Sequence, residues 1–123
     1  METFDIGIEY FNSIRGVLAE LPQDAPERQL ITLTFEQLIE NQDRYEARAN
    51  YLLKEKLLQM QFGECRFEYF ILNSQVTFSV SRDNGRSYLN LHTLPLDGNR
   101  ESDLGTIVRM MAEAEARILL EPN

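Results

Sequence analysis

Residues 65–94 read CRFEYFILNSQVTFSVSRDNGRSYLNLHTL, and two short turn signals inside the stretch, Asn73-Ser74 and Asn84-Gly85, decide the architecture. Asparagine and glycine tolerate the left-handed backbone that a two-residue hairpin loop demands. If Asn73-Ser74 is such a loop, Leu72 faces Gln75, and the pairs Ile71/Val76, Tyr69/Phe78 and Phe67/Val80 follow. If Asn84-Gly85 is a type I′ loop, Asp83 faces Arg86, and Val80/Leu89 and Phe78/Leu91 follow. The two registers agree. Together they gather Cys65, Phe67, Tyr69, Ile71, Val76, Phe78, Val80, Leu89 and Leu91 on one face, which a one-residue slip in either hairpin would break. Three strands are predicted, 65–72, 75–82 and 86–93, as an antiparallel meander. The opposite face carries Arg66, Glu68, Phe70, Leu72, Thr77, Ser79, Ser81, Tyr88, Asn90 and His92, large apolar groups set among hydroxyls.

Helical patterns flank the meander. Phe4, Ile8, Phe11, Ile14, Leu18 and Leu21 form one stripe that stops at Pro22, predicting a helix over 4–21. The start of the next helix is open: Asp24 with Glu27 around Pro26 resembles a capping arrangement, and so does Thr34 with Gln37. Leu30 to Phe35, with its two threonines, fits either a short strand or a helix. From there Phe35, Leu38, Ile39, Tyr45, Ala49, Leu52, Leu53, Leu57 and Met60 hold one face up to Gly63, so a helix from about 25 or 35 to 61 is expected. After the meander, Ser102 is the expected cap of a helix over 102–120 with Leu104, Ile107, Val108, Met111, Ala114 and Ile118 as its stripe and Glu113/Arg117 paired on its wet side. The expected fold is α+β in the order α-α-β-β-β-α, a three-stranded antiparallel meander packed against helices in a single domain of residues 1–123.

Composition narrows the function. Twenty Asp and Glu against 12 Lys and Arg give a net charge of −8 over 123 residues, which disfavours contacts to nucleic-acid phosphates. The acids concentrate at the ends, six against two bases over residues 1–29 and five against two over 101–123. One cysteine, Cys65, excludes an internal disulfide and fits a reducing compartment. Glu2 and Asp5 stand where a secretory signal carries positive charge, and no apolar run is long enough to cross a membrane, so a soluble cytoplasmic protein is expected.

Catalytic and cofactor motifs are missing. His92 is the single histidine, which rules out multi-histidine metal sites, and in the predicted register it lies on the face opposite Cys65. Glu36, Glu40 and Asp43 read as a solvated helix face with Arg44 and Arg48 rather than a metal site. The six glycines are scattered, leaving no phosphate-cradling loop. Arg82, Arg86 and Arg100 form a small basic spot read as edge protection. No metal, no cofactor and no enzymatic activity are expected, an enzyme of unrecognised type being the third function class left open.

Function is therefore sought in surfaces. Strands of eight residues span roughly 26 Å and a helix over 35–61 roughly 40 Å, so the helix should overhang the sheet. Its surplus apolar residues, such as Tyr51 and Phe62, and the second-face group Phe70, Leu72 and Tyr88 then need cover from other helices or another chain, which a symmetric homodimer would supply. The candidate partner-binding residues are Phe70, Leu72, Thr77, Tyr88 and His92.

The run Ser87-Tyr88-Leu89-Asn90-Leu91-His92-Thr93-Leu94-Pro95-Leu96-Asp97, with the helix Leu104 to Leu120 behind it, resembles the last strand, Leu-Pro-Leu turn and final helix of class I type III secretion chaperones. That resemblance implies a dimeric, cytoplasmic, ATP-independent chaperone holding a protein partner in an extended form by strand-edge or groove contacts. Charge supports a different reading, a small acidic inhibitor docking on the basic surface of a nucleic-acid-binding or defence enzyme. It would use Glu2, Asp5, Glu9, Glu20, Asp24 and Glu27 with Glu101, Asp103, Glu113, Glu115 and Glu121.

Overall fold

The computed structural model describes residues 20–22 and 24–120. The predicted helix over 4–21 lies outside them apart from Glu20 and Leu21. The described elements run α1 (Pro26–Glu55), β1 (Leu57–Phe62), β2 (Cys65–Leu72), β3 (Gln75–Ser81), β4 (Leu89–Pro95) and α2 (Arg100–Leu120). The fold is α+β, an antiparallel sheet in the order β1-β2-β3-β4 packed against helices. Two compact units divide it: residues up to Tyr45 with those from Val108 onward, and Glu46–Ile107.

Helix α1 settles the open start. Pro26 takes the first helical position, where its missing N–H costs nothing, and residues 30–35 are helical. Thr34 caps nothing: it is buried, and its hydroxyl donates to the Leu30 carbonyl at 2.7 Å, one turn back. Asn41 interrupts the helix with φ −129° and ψ 16°, and its side-chain amide donates to Gln37 Oε1.

The expected end of this helix at residue 61 is corrected. Lys56 adopts φ 67°, and its N–H donates to the Leu52 carbonyl at 2.7 Å, closing the helix with a left-handed residue that is not glycine. The Lys56 carbonyl then accepts the Ile71 N–H at 2.9 Å, which seeds a strand against β2. Leu57–Phe62 is that strand, and the meander has four strands rather than three. Leu58, Met60 and Phe62 alternate half-buried with exposed Leu57, Gln59 and Gln61, the period of a sheet. Residues 57–62, expected to overhang the sheet as helix, are part of the sheet, and Phe62 packs its ring 5.2 Å from Phe67.

Phe62 pairs with Cys65 across Gly63-Glu64, where positive φ occurs only at Gly63, the pattern of a type II′ turn. The predicted pairs Ile71↔Val76, Tyr69↔Phe78 and Phe67↔Val80 are all present. Their rings form the centre of the Glu46–Ile107 unit: Phe67 and Phe78 meet edge-on at 4.9 Å, and Tyr69 lies 5.0 Å from Phe78. Ala49, Leu52 and Ile107, from the helical parts of this unit, are fully buried with them.

The third predicted strand is corrected in bounds and in register. It runs Leu89–Pro95, not 86–93. Val80↔Leu89 and Ser79↔Asn90 match the expectation, but Phe78 pairs with His92 instead of Leu91 and Thr77 with Thr93. Leu91 is the extra residue of a β-bulge, a distortion an edge strand accommodates because one side of its backbone is unpaired.

Helix α2 starts two residues before the predicted cap. Asn99 is the cap: its side-chain oxygen accepts the Ser102 N–H at 3.1 Å and its carbonyl the Asp103 N–H at 2.8 Å. The Ser102 hydroxyl donates to Asp97 Oδ2, and the backbone N–H of Asn99 donates to Asp97 Oδ1, which together hold the Asp97 carboxyl below the usual range, the Asn99 bond being the larger cause. Asp103, 6% exposed, accepts the N–H groups of Asp97 and Gly98 and so ties the β4–α2 connection to the helix.

Candidate protein-binding site

The sheet's two faces differ in what covers them. On the side of Phe67, Tyr69 and Phe78 the two central strands are buried; on the other, the open face, Arg66, Glu68, Phe70 and Leu72 of β2 reach solvent at least in part, while Thr77, Ser79 and Ser81 of β3 are buried. Two register rows organise the open face. The first runs Leu57, Phe70, Thr77, Thr93 across all four strands, and the second runs Leu72, Gln75, Pro95. Leu57 and Leu72 are 47% and 63% exposed, Phe70 is half-buried, and Thr77 lies beneath them, sharing a hydrogen bond of 3.1 Å with the Thr93 hydroxyl. Leu57, Phe70, Leu72 and Pro95 thus form an apolar end beside the Asn73-Ser74 turn. The far end is polar, with Gln59 donating to Glu68 at 2.7 Å and Ser79 donating to Asn90.

Of the five candidates, Phe70, Leu72 and Thr77 come together. Tyr88 lies in the connection before β4, beyond the polar end and outside the strand ladder. His92 is a correction: the bulge at Leu91 turns it to the Phe78 side of the sheet, where it is exposed on the edge strand. Leu57 and Pro95 take its place on the open face. Sequence reasoning missed Leu57 because the residue also fits the helical stripe, and Pro95 because it reads as turn punctuation.

Two arginines of the basic spot, Arg82 and Arg100, have different partners. Arg82 donates to the buried Cys65 sulfur at 3.8 Å, and Arg100 donates to Asn50. At the hairpin tip Asp83 accepts the hydroxyls of Ser81 and Ser87 and the Ser87 N–H; these bonds, the Ser87 hydroxyl's first, hold its carboxyl down at about 2.

The unit that ends at Tyr45 and resumes at Val108 has a polar centre of its own. Glu115, 1% exposed, accepts the Tyr45 hydroxyl at 2.7 Å and the Arg44 guanidinium at 3.2 Å. The guanidinium also lies over the Tyr45 ring, 5.5 Å from its centroid. Burial, reinforced by the Glu115 carboxylate, pushes the Tyr45 hydroxyl's ionisation well above its ordinary range, so it stays a donor. A hydrogen bond to a charged group of this kind contributes about 1.5–3 kcal/mol. Glu115 was counted above among surface acids, yet it falls four residues after Met111 and seven after Val108, on the apolar stripe; that spacing is the signal of its burial. The cavity of about 270 Å³ next to this cluster is the groove left by the break at Asn41, lined by Ile39, Glu40, Asn41, Gln42, Asp43 and Arg44.

Among the described residues no cluster of three metal-ligating side chains occurs, and no helix is long and apolar enough to cross a membrane. Fold and surface define the chain as an α+β protein with a four-stranded antiparallel meander whose strand β2 exposes apolar side chains on one face. Comparison with protein-family models, curated proteins and solved structures finds no match.

Proposed function

We propose that this chain is a non-enzymatic protein-binding domain, chaperone- or adaptor-like, that holds a protein partner on the open face of its sheet. The observation that supports this reading is the apolar end of that face, where Leu57 and Phe70 are register partners, Leu72 stands 63% exposed two residues further along β2, and Pro95 lies beyond Gln75 in the row of Leu72. Water-exposed apolar residues grouped in this way mark association surfaces. A partner segment laid across them would bury Leu72 and Leu57 as anchors, while the backbone of edge strand β4 offers unpaired N–H and C=O groups for strand addition. Two-fold pairing of the chain, in the cytoplasm, belongs to the same proposal, as does the chaperone mode that residues 87–120 suggest by resemblance.

The acidic-inhibitor reading has less to draw on. Asp103 and Glu115 are buried and engaged in internal bonds, so they add nothing to a docking surface.

The test compares wild type with Leu72→Asp and with Tyr88→Ala in pull-downs from native lysate at low and high salt, alongside molecular mass in solution. Leu72→Asp is expected to abolish capture at both salt concentrations and Tyr88→Ala to preserve it. Capture that survives Leu72→Asp and disappears at high salt overturns the apolar face in favour of electrostatic docking.

A further inference from the structure

The β3–β4 hairpin tip carries a chemistry that the binding reading does not use. Asn84 is exposed and is followed by Gly85, the only Asn-Gly pair in the sequence. We infer that Asn84-Gly85 is a modification site, a deamidation centre that the folded hairpin holds in check through Ser81. In the reaction the Gly85 backbone nitrogen gives its proton to a solvent base and forms a bond to Asn84 Cγ. The Cγ–nitrogen bond of the side-chain amide breaks and ammonia leaves. The resulting five-membered imide is opened by water at either carbonyl, giving aspartate or isoaspartate. Glycine favours ring closure because no side chain at position 85 hinders it.

Three features of the tip oppose that step. The Gly85 N–H, the future nucleophile, donates to Ser81 Oγ at 2.9 Å, so removing its proton breaks a formed hydrogen bond. Ser81 is itself fixed, because its own proton goes to Asp83 Oδ1 at 2.7 Å while the Ser87 N–H donates to the same oxygen from the far side of the turn. Asn84 and Gly85 have φ 63° and 87°, the left-handed pair of a type I′ turn, and closing the ring requires Asn84 to rotate out of that conformation. Arg66 adds crowding: its Nη1 lies 2.9 Å from where a β-carbon on Gly85 would stand, so turning the peptide displaces it.

The product matters to the sheet. An isoaspartate at 84 lengthens the backbone of the hairpin tip by one atom and sets a new negative charge beside Asp83. The tip can no longer hold β4 in its present register next to Leu89 and Asn90. A chain that opens its second hairpin for long is thereby marked irreversibly.

The experiment incubates the full chain in mildly alkaline buffer, native and in urea, and follows residue 84 by peptide mapping with isoaspartate assignment. Wild type is expected to convert several-fold more slowly when native than in urea. Ser81→Ala is expected to convert several-fold faster than wild type under native conditions and at the same rate in urea. Ser87→Ala alters only an exposed residue and is expected to fall between them, so it carries the test if Ser81→Ala fails to fold by circular dichroism. Equal native rates for wild type and the folded variants, or conversion no faster in urea than in the native state, would overturn the inference.

Discussion

Strand β3 belongs to two hairpins, and they differ. Both turns have left-handed backbone at their two central residues, Asn73-Ser74 on one side and Asn84-Gly85 on the other. The first hairpin pairs without interruption from Leu72↔Gln75 to Arg66↔Ser81. The second ladder begins only at Val80↔Leu89, and after Ser79↔Asn90 it shifts by one residue. The difference follows from what lies behind each strand. β2 is paired on both sides and alternates buried with less buried residues, so a slip would expose its rings. β4 is an edge strand, exposed at every position but Leu94, and little is lost when Leu91 is left unpaired. A turn therefore sets the first few rows of a hairpin, and burial decides whether the register continues.

The largest effect comes from attacking what the hairpins share. Phe78→Ala removes the ring that Phe67 and Tyr69 pack against, and a loss of about 3–5 kcal/mol is expected. Both hairpins should melt together in urea denaturation, because a domain of this size holds only about 5–15 kcal/mol in total. Retention of the first hairpin's amide protection would show that the two fold independently.

Substitutions at the turns should move the hairpins in opposite directions. Gly85→Ala forces a β-carbon onto φ 87° and against Arg66; the guanidinium can swing aside, so backbone strain of about 1–2 kcal/mol dominates. The loss should concentrate in hydrogen exchange of β4. Ser74→Gly relieves a non-glycine residue at φ 59°, and after the larger entropy of the unfolded glycine a gain of about 0.5–1 kcal/mol remains. A higher urea midpoint checks it.

What was legible in the sequence follows the same division. The open-face group Phe70, Leu72 and Thr77 could be placed because the first hairpin obeys turn arithmetic from end to end. His92 could not, since a bulge on an exposed strand leaves no trace in the hydrophobic pattern. Strand β1 was hidden for another reason: Leu53, Leu57 and Met60 fit a helical stripe while Leu58, Met60 and Phe62 fit a strand, and periodicity alone does not choose between them. The deciding residue is Lys56, which stops the helix at φ 67° without the glycine or proline that announces most helix ends. Glu115 was readable from its place on the apolar stripe, but its charge argued for the surface until Tyr45 and Arg44 supplied partners.

The smallest effect separates the hairpins by pH. The Asp83 carboxyl titrates at about 2 in the folded tip against an ordinary 3.8, because Ser87 and Ser81 bond to its ionised form. A folded-state value below the unfolded one means that the ionised carboxylate favours the closed tip. That contribution is complete above the ordinary value and is lost as pH falls from there through about 2. Asp83 is exposed, so the whole domain should barely respond; the Ser87 and Gly85 amides should lose protection over this window while the Asn73-Ser74 hairpin, whose turn contains no carboxylate, keeps its own. Asp83→Asn should make the second hairpin insensitive to acid at the cost of weaker protection at neutral pH. Equal loss in both hairpins would mean that the strands, and not the tip network, respond to acid.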